Sequence, residues 1–521
     1  MGIGHTAALF WVSVSGIPLA WPCMHTIVHG FLLGAALLLG ASPSLAKADD
    51  DAAMLAYREK VIAARMVAVE LGHTPEEWAA AGVTLKAALA DPLFKQLTAV
   101  QQAHVHSGAG WAAIRTGDYV RARDQLLRAT QLNPDASTDW LWLARLDDEL
   151  GDYDSAAMAV VGFLRQWQLE DDQTVFVTQV VRKADSESVS RLVLLQALFD
   201  SKWHPKPLGA SDLWYELALS QLRNQQLDEA RATIARITSP DMLVRLRSDK
   251  RFDPLVDRDA PQFDVEKAAQ AQLQSLREQS STPSTVSQVS VDLARGLLLV
   301  GDNRGALALA DQLLATTPAK DSPPSDAEQR AWISNSRASA LSRMGRVDEA
   351  LAQMEAAAAI TVGGDINVNQ ALNLSHFYCA MGRGDQALAS AAKVSAIMNG
   401  YGKVVQKLAE HCAALLTGDT AAATAAFAYL FQHQKDGPFP FLLALMRSNQ
   451  MEEAARTVIR RLESEDDRGQ MLYDLQDFLE SKPLPGNVEL EARWRALIKR
   501  KDVVQALDRV GRTQHYDIYG N

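Results

Sequence analysis

A short pattern occurs twice in this chain, and its two copies are separated by roughly 34 residues, a spacing typical of helical-repeat proteins. The first copy is Gly117-Asp118-Tyr119 followed by Ala122, and the second is Gly151-Asp152-Tyr153 followed by Ala156. Repeats of this kind form stacked helical pairs, in which each pair buries its apolar side against its neighbours. The pattern therefore predicts an all-α array, with each glycine in the tight turn between two helices.

The spacing of small and aromatic residues within the unit resembles the tetratricopeptide repeat (TPR). The resemblance covers about residues 103–462, with gaps, and it implies a right-handed superhelical solenoid of helical hairpins. It rests on Gly110, Gly117, Tyr119, Ala122, Ala129 and Pro134 in the first unit, and on Trp140, Leu143, Ala144, Gly151, Tyr153 and Ala156 in the second.

A degenerate third unit follows in the same frame. Asp185 stands where the turn glycine would be, and the sequence predicts helices at 174–183 and 188–201 on either side of it.

Turn glycines recur in the second half of the chain, so we expect two arrays. Gly301, Gly345, Gly382 and Gly418 are each followed five residues later by alanine. A Ser/Thr/Pro-rich stretch at 279–286 is the candidate hinge between the arrays. The predicted organisation is a leader at 1–48, capping helices at 49–102, a first array at 103–278, the linker at 279–286, a second array at 287–463 and capping helices at 464–521.

The amino terminus has the features of a secretory leader. An apolar run at 27–41 precedes small residues around Ala46 and Ala48, which suit cleavage by a signal peptidase. Because no Lys or Arg occurs before Lys47, Met24 is an alternative start. We expect export to the periplasm of a Gram-negative bacterium, and an uncleaved membrane anchor is the alternative. No membrane span is expected in the mature chain.

Composition and motifs argue against several classes of function. A formal charge of −11 is unsuited to sequence-independent nucleic-acid binding, which depends on Lys and Arg. The sequence contains no His-Glu-x-x-His zinc motif, no phosphate-binding loop and no Gly-x-Ser-x-Gly nucleophile motif. We therefore expect no enzyme activity, no cofactor and no metal site. Cys379 and Cys412 are expected to be buried thiols, with a disulfide as the alternative.

The TPR resemblance implies that one side of each first helix lines a groove for a peptide or protein segment. Carried over position by position, the candidate groove residues are His104, Trp111, Arg115, Arg145, Tyr215, Arg223, Trp332, Asn335, Arg343, Asn369 and His376.

The expected function is that of a non-enzymatic scaffold or adaptor that binds a protein or peptide partner in this groove. The alternative is an accessory subunit of an envelope assembly, serving polysaccharide export or outer-membrane biogenesis, that acts through its terminal helices. The arginine-rich end of the chain, from Arg493 to Arg512, is then either a solvated face or a surface for an acidic partner.

Overall fold

The computed structural model describes residues 48–185, 188–205, 207–280, 286–315, 324–394, 398 and 400–520. Residues 1–47 of the predicted leader and residues 281–285 of the predicted linker lie outside the described residues. Within the described ranges, no helix is both long and apolar enough to cross a membrane.

The described residues divide into two compact units, those within 48–205 and those within 207–520, which we call the N-terminal and C-terminal units. Both are built from consecutive helical hairpins, which confirms the predicted all-α repeat fold. The N-terminal unit contains α1 (Ala48–Met66), α2 (Pro75–Ala90), α3 (Ala99–Arg115), α4 (Tyr119–Leu132), α5 (Ser137–Glu149), α6 (Tyr153–Leu164), α7 (Thr174–Lys183) and α8 (Val189–Asp200).

The hairpin of α3 and α4 shows why the repeat residues produce this structure. Gly117 in the turn has a φ of 78°, a backbone conformation that glycine adopts without steric cost. Asp118 then caps α4 by accepting a 3.2 Å hydrogen bond from the backbone N–H of Arg121. A Cβ atom on Gly110 would lie 2.8 Å from the side chain of Leu126. Gly110 therefore allows the two helices the close approach that the repeat predicts.

Local signals outside the repeat consensus also specify helices. Thr74 caps α2 through a capping box with Glu77, and Pro75 occupies the first turn. The degenerate third unit around Asp185 forms α7 and α8, within one residue of the predicted bounds. Apolar periodicity is thus sufficient to specify this hairpin without the consensus turn.

The C-terminal unit begins with helices that continue the hairpin pattern. These are α9 (Ser211–Arg223), α10 (Leu227–Ile234), α11 (Pro240–Ser248), α12 (Val265–Gln279), α13 (Gln288–Leu299), α14 (Asn303–Leu314), α15 (Pro324–Arg343), α16 (Val347–Ala359), α17 (Val368–Ala380), α18 (Gly384–Ala392), α19 (Gly400–Thr417), α20 (Thr420–Gln432), α21 (Pro438–Arg447) and α22 (Met451–Glu463). A short antiparallel pair of strands, β1 (Thr361–Val362) and β2 (Asp365–Ile366), joins α16 to α17.

The end of the chain, which we call the C-terminal segment (residues 464–521), is not the simple helical cap that was expected. It contains α23 (Arg468–Asp474), β3 (Asp477–Leu479), α24 (Val488–Ile498), α25 (Lys501–Val510) and β4 (His515–Tyr519). Strands β3 and β4 pair in parallel. The arginine-rich end of the chain thus forms two helices, and the strand that follows them was not predicted from the sequence.

Helices α12 and α13, which flank the predicted linker at 279–286, both belong to the C-terminal unit. The C-terminal segment provides the physical reason, because it returns to the first helices of its own unit. Helix α23 packs against α11, and β4 packs against both α12 and α13. Helices on either side of the predicted linker therefore belong to the same compact body.

The two cysteines are paired as a disulfide, where the sequence reasoning favoured buried thiols. Cys379 on α17 and Cys412 on α19 have Cα atoms 6.2 Å apart, which is within the range that a disulfide spans. Because they lie on the first helices of adjacent hairpins, the 33-residue separation in sequence becomes a direct contact.

Candidate functional site

The candidate residues of the N-terminal unit lie on the first helices of successive hairpins. His104, Trp111 and Arg115 are on α3, spaced so that they follow one side of that helix. Arg145 lies on α5, the first helix of the next hairpin. The structure therefore places all four candidates of this unit on neighbouring elements.

Aromatic rings and arginine side chains join these helices into what we call the aromatic–arginine stripe. Its members are Trp78, Trp111, Arg115, Trp142, Arg145 and Phe176. The rings of Trp111 and Trp142 meet edge to face, with centroids 5.0 Å apart. The guanidinium carbon of Arg115 lies 5.1 Å from the centre of the Trp78 ring. Such contacts combine apolar burial with cation–π attraction.

Arg145 has the most distinctive surroundings in the stripe. Its guanidinium carbon lies 5.8 Å from the centre of the Trp142 ring and 4.8 Å from that of the Phe176 ring. Burial lowers the pKa of Arg145, and the charge of Asp172 partly offsets this effect. Within the described part of the chain, Arg145 makes no hydrogen bond and no ion pair. It is a half-buried cation whose contacts are aromatic.

A fully packed carboxyl group lies beside the stripe. Asp139 is 5 % exposed and accepts a 2.8 Å hydrogen bond from the hydroxyl of Ser107. Burial raises the pKa of Asp139 to about 6, although the Ser107 hydroxyl, the charge of Arg65 and the Trp111 indole all lower it. Asp139 fixes the positions of α3 and α5 through this hydrogen bond and is itself shielded from solvent.

His104 is half-buried next to Arg65. Burial, followed by the positive charge of Arg65, lowers the pKa of His104 to about 4, so its imidazole is neutral near pH 7. His106 instead places its Nδ1 2.8 Å from the side-chain oxygen of Gln125 on α4. Within the described residues, no group of three or more His, Cys, Asp or Glu side chains is placed to hold a metal ion.

Two candidates of the C-terminal unit contact the C-terminal segment. Tyr215 is 4 % exposed, and its hydroxyl oxygen lies so close to Gly469 that a Cβ atom at this glycine would clash with it. Arg223 forms ion pairs with Glu465, at 3.1 Å, and with Asp466. The start of the C-terminal segment therefore covers this part of the predicted groove.

Arg343 contacts the last strand of the same segment. Its guanidinium carbon lies 3.9 Å from the centre of the Tyr519 ring, and its Nη1 donates a 2.6 Å hydrogen bond to the carbonyl oxygen of Leu298. Burial lowers the pKa of Arg343 to about 10. The chain thus supplies its own aromatic partner for this arginine.

His376 lies near the turn that precedes α24. Burial lowers its pKa to about 4, and the charge of Arg447 acts in the same direction. Arg447 donates a 2.8 Å hydrogen bond from Nη2 to the side-chain oxygen of Asn487 in the C-terminal segment. The groove position of His376 is therefore close to a contact between α21 and this segment.

The remaining candidates form polar contacts among α15 and α17. Trp332 donates a 2.9 Å hydrogen bond from Nε1 to Glu328, and Asn369 donates one of 3.4 Å to the same carboxylate oxygen. Asn335 is fully buried and donates a 3.1 Å hydrogen bond to the side chain of Gln370. These contacts hold adjacent hairpins together.

Sequence reasoning did not single out Trp78, Trp142 or Phe176. Trp142 and Phe176 are separated by the same distance in sequence as Gly117 and Gly151, and thus occupy the same position in consecutive units. This position lies outside the groove set implied by the TPR resemblance. Trp142 lies one turn before Arg145. The fixed spacing of the two large rings, Trp142 and Phe176, is the signal that could have identified them.

No protein-family model matches this chain, and no curated protein matches it. Among solved structures, it is similar to a chain of the "APC/C hetero-tetramer Cut9-Hcn1", with 13 % identity, coverage of 87 % of this chain and 86 % of that chain, and a TM-score of 0.30. It is also similar to yeast Tom70, with 10 % identity, coverage of 88 % of this chain and 100 % of that chain, and a TM-score of 0.30. Similarity of this extent carries no argument about what this chain binds.

Proposed function

We propose that this protein is an exported, non-catalytic scaffold that binds a segment of a partner protein along the aromatic–arginine stripe of its N-terminal unit. The observation that carries the proposal is Arg145, a half-buried cation that lies over the Trp142 and Phe176 rings and has no ion pair in the described chain. Aromatic and arginine side chains are the residues that most often dominate the energy of protein interfaces.

The C-terminal unit offers a less suitable surface for a partner. Several of its candidate groove residues already contact the C-terminal segment, among them Tyr215, Arg223 and Arg343. A partner would have to compete with these intramolecular contacts. The N-terminal unit therefore supports binding better.

The alternative function, action through the basic end of the chain, is weakened by internal pairing of its arginines. Arg500 forms ion pairs with Glu452 and Asp502. Arg512 pairs with Asp253, and Arg509 pairs with Glu463. These contacts satisfy the charges that an acidic partner would otherwise recognise.

The proposed export has independent support from the pairing of Cys379 with Cys412. Disulfides persist in oxidising compartments such as the periplasm and are rare in the bacterial cytoplasm. The leader-like sequence before Asp49 is consistent with the same route.

In-cell photo-crosslinking tests the binding site. A photo-reactive side chain replaces Leu141, which lies on α5 one turn before Arg145, and the control replaces exposed Arg128 on α4. We expect one crosslinked partner from position 141, none from position 128, and loss of the product in the Phe176→Ala variant. Equal crosslinking from both positions, or a product unaffected by Phe176→Ala, would refute binding at the stripe. Fractionation of the same cells tests export, which fails if the protein remains in the cytoplasm.

A further inference from the structure

The surroundings of Arg145 define the chemistry of the segment that the stripe would bind. This inference rests on the proposed function and extends it. We propose that the partner segment is acidic and that one of its carboxylates pairs with the guanidinium group of Arg145.

The aromatic contacts leave the hydrogen-bond donors of Arg145 available. A guanidinium group is planar, and its N–H bonds lie in that plane and point outward from its edge. The guanidinium carbon lies over the Trp142 and Phe176 rings, and within the described chain none of its N–H groups is used in a hydrogen bond or an ion pair. A carboxylate approaches an arginine edge-on and accepts two parallel hydrogen bonds. The aromatic contacts and a carboxylate ligand are therefore compatible.

Arg145 differs from Arg123, a neighbouring arginine in the same unit. Arg123 on α4 forms ion pairs with Asp147 and Asp152. Asp172 is the acidic residue whose charge acts on Arg145, but it is exposed and forms no ion pair with it. A half-buried cation with incomplete compensation favours an external anion, because pairing would offset part of its desolvation.

The stripe presents a second cation with incomplete hydrogen bonding. The Nε of Arg115 is buried and has no hydrogen-bond partner within the described chain, and its Nη2 reaches the carbonyl oxygen of Val69 only at 3.5 Å. The guanidinium carbon of Arg115 also lies over an aromatic ring, that of Trp78. Two arginines in aromatic surroundings on consecutive hairpins match a segment with more than one acidic side chain, separated by apolar residues that contact the rings.

Charge complementarity also argues against a second copy of this chain as the intended occupant. The chain carries a formal charge of −11, so association of two copies opposes like net charges.

A random dodecapeptide library displayed on phage, selected against the purified protein, is the probe. Selected peptides are synthesised with their original Asp and Glu residues and again with Asn and Gln in their place. Affinities of both forms are measured for the wild type, Arg145→Gln, Arg145→Lys and Phe176→Ala. The matched control is Arg128→Gln, because the Arg128 side chain is exposed and pairs within its own helix. Circular dichroism confirms that each variant is folded.

We expect selected peptides to be rich in Asp and Glu, and amide replacement to weaken wild-type binding by about tenfold or more. Arg145→Gln should bind the acidic form more weakly than the wild type and should discriminate less between the two forms, with the remaining difference due to Arg115. Arg145→Lys should be intermediate, and Arg128→Gln should match the wild type.

Each contrary result overturns a defined part of the proposal. Neutral peptides that bind the wild type and Arg145→Gln equally, but lose affinity in Phe176→Ala, would overturn the acidic partner and leave the stripe as the binding site. Peptides unaffected by either variant, or no enriched peptides, would overturn both proposals. A wild-type dimer that Arg145→Gln converts to a monomer in analytical ultracentrifugation would identify a second copy as the occupant and overturn the acidic segment.

Discussion

At the residue scale, the N-terminal unit contains a carboxyl group that the fold shields from water. Asp139 lies between α3 and α5 with a pKa of about 6, above the ordinary value near 3.8. A raised native pKa means that the folded state holds the proton more tightly than the unfolded state. Ionisation therefore costs stability as the pH rises through this interval.

The Asp139→Asn variant should reveal this cost. The free energy of unfolding of the wild type, relative to the variant, should fall by about 2–3 kcal/mol between pH 4 and pH 7, as expected for a shift of about two pKa units. Urea denaturation of both proteins across this range measures the difference. A difference that does not change with pH would mean that Asp139 titrates normally.

Two hairpin turns place residues other than glycine in the left-handed region of φ. Gln225 has a φ of 61° and Asn449 one of 56°, at the positions where other units have glycine. Asparagine tolerates this conformation better than glutamine does.

We expect Gln225→Gly to raise the free energy of unfolding by up to about 1 kcal/mol, because relief of the steric cost exceeds the added entropy of the unfolded chain. Asn449→Gly is the matched comparison and should have a smaller effect. Thermal denaturation of both variants measures the two increases in the free energy of unfolding. An increase at position 449 equal to or greater than that at position 225 would contradict this explanation.

At the element scale, the disulfide ties the first helices of two consecutive hairpins. Cys379 packs with α15, α16 and α18 residues, while Cys412 joins the same apolar cluster from α19. Closing a loop of this length limits the conformations of the unfolded chain.

Reduction of the disulfide should lower the free energy of unfolding by about 3–4 kcal/mol, according to the loop-entropy relation. Urea denaturation with and without a reductant measures the change. The double variant Cys379→Ala and Cys412→Ala provides the control, since it should be insensitive to the reductant. A wild type that is equally insensitive would show that the pair contributes little to stability.

Where β3 pairs with β4, a histidine lies between two carboxylates. His515 places Nδ1 3.0 Å from Asp477 and Nε2 3.1 Å from Asp517. Hydrogen bonds from His515 to Asp477 and then to Asp517 raise the pKa of this histidine. The stabilising effect of protonated His515 is therefore complete below the ordinary histidine pKa. It is lost as the pH rises through the higher native pKa of this residue.

Hydrogen exchange of the Asp477 amide, which donates to the carbonyl oxygen of Gln514, should report this loss. After correction for intrinsic exchange, protection should decrease as the pH rises above about 6.5, the ordinary histidine pKa. His515→Gln should remove the pH dependence, and a dependence that persists in this variant would assign it to another group. Because His515 is exposed, a large change in global stability is not expected.

At the scale of the whole molecule, the C-terminal unit is closed by contacts between the two ends of its sequence. Arg512 donates a 2.9 Å hydrogen bond to the carbonyl oxygen of Arg247 and pairs with Asp253. Tyr516 is 2 % exposed, and its ring centroid lies 5.7 Å from that of Phe478. The last strand is therefore part of the core of this unit.

Tyr516→Ala should destabilise the C-terminal unit by about 3–5 kcal/mol, the usual cost of removing a large buried ring. Hydrogen exchange should then increase in α12 and α13 as well as in β3, although α12 and α13 lie far earlier in the sequence. Truncation of exposed Val504 to alanine is the control. If the increase in hydrogen exchange were limited to β3 and β4, the C-terminal segment would not be part of the core of this unit.

The hairpins, their turns and their order along the chain could be predicted from the amino-acid sequence. Apolar spacing within each hairpin decides where its helices begin and end, so even the degenerate unit of α7 and α8 could be predicted. It also placed Trp111, Arg115 and Arg145 on the first helices of consecutive units. These features depend on local contacts, which repeat with a fixed period.

The contacts that each of these positions makes depend on the tertiary structure. Arg343 and Arg145 were both candidate groove residues, yet Arg343 contacts the ring of Tyr519, whereas Arg145 lies over Trp142 and Phe176 and has no ion pair in the described chain. The return of the C-terminal segment joins residues that no repeat period relates. The pairing of Cys379 with Cys412 joins residues about one repeat apart, whose direct contact depends on how two adjacent hairpins pack. Such contacts depend on how the hairpins stack in space, because stacking brings distant parts of the chain within side-chain reach.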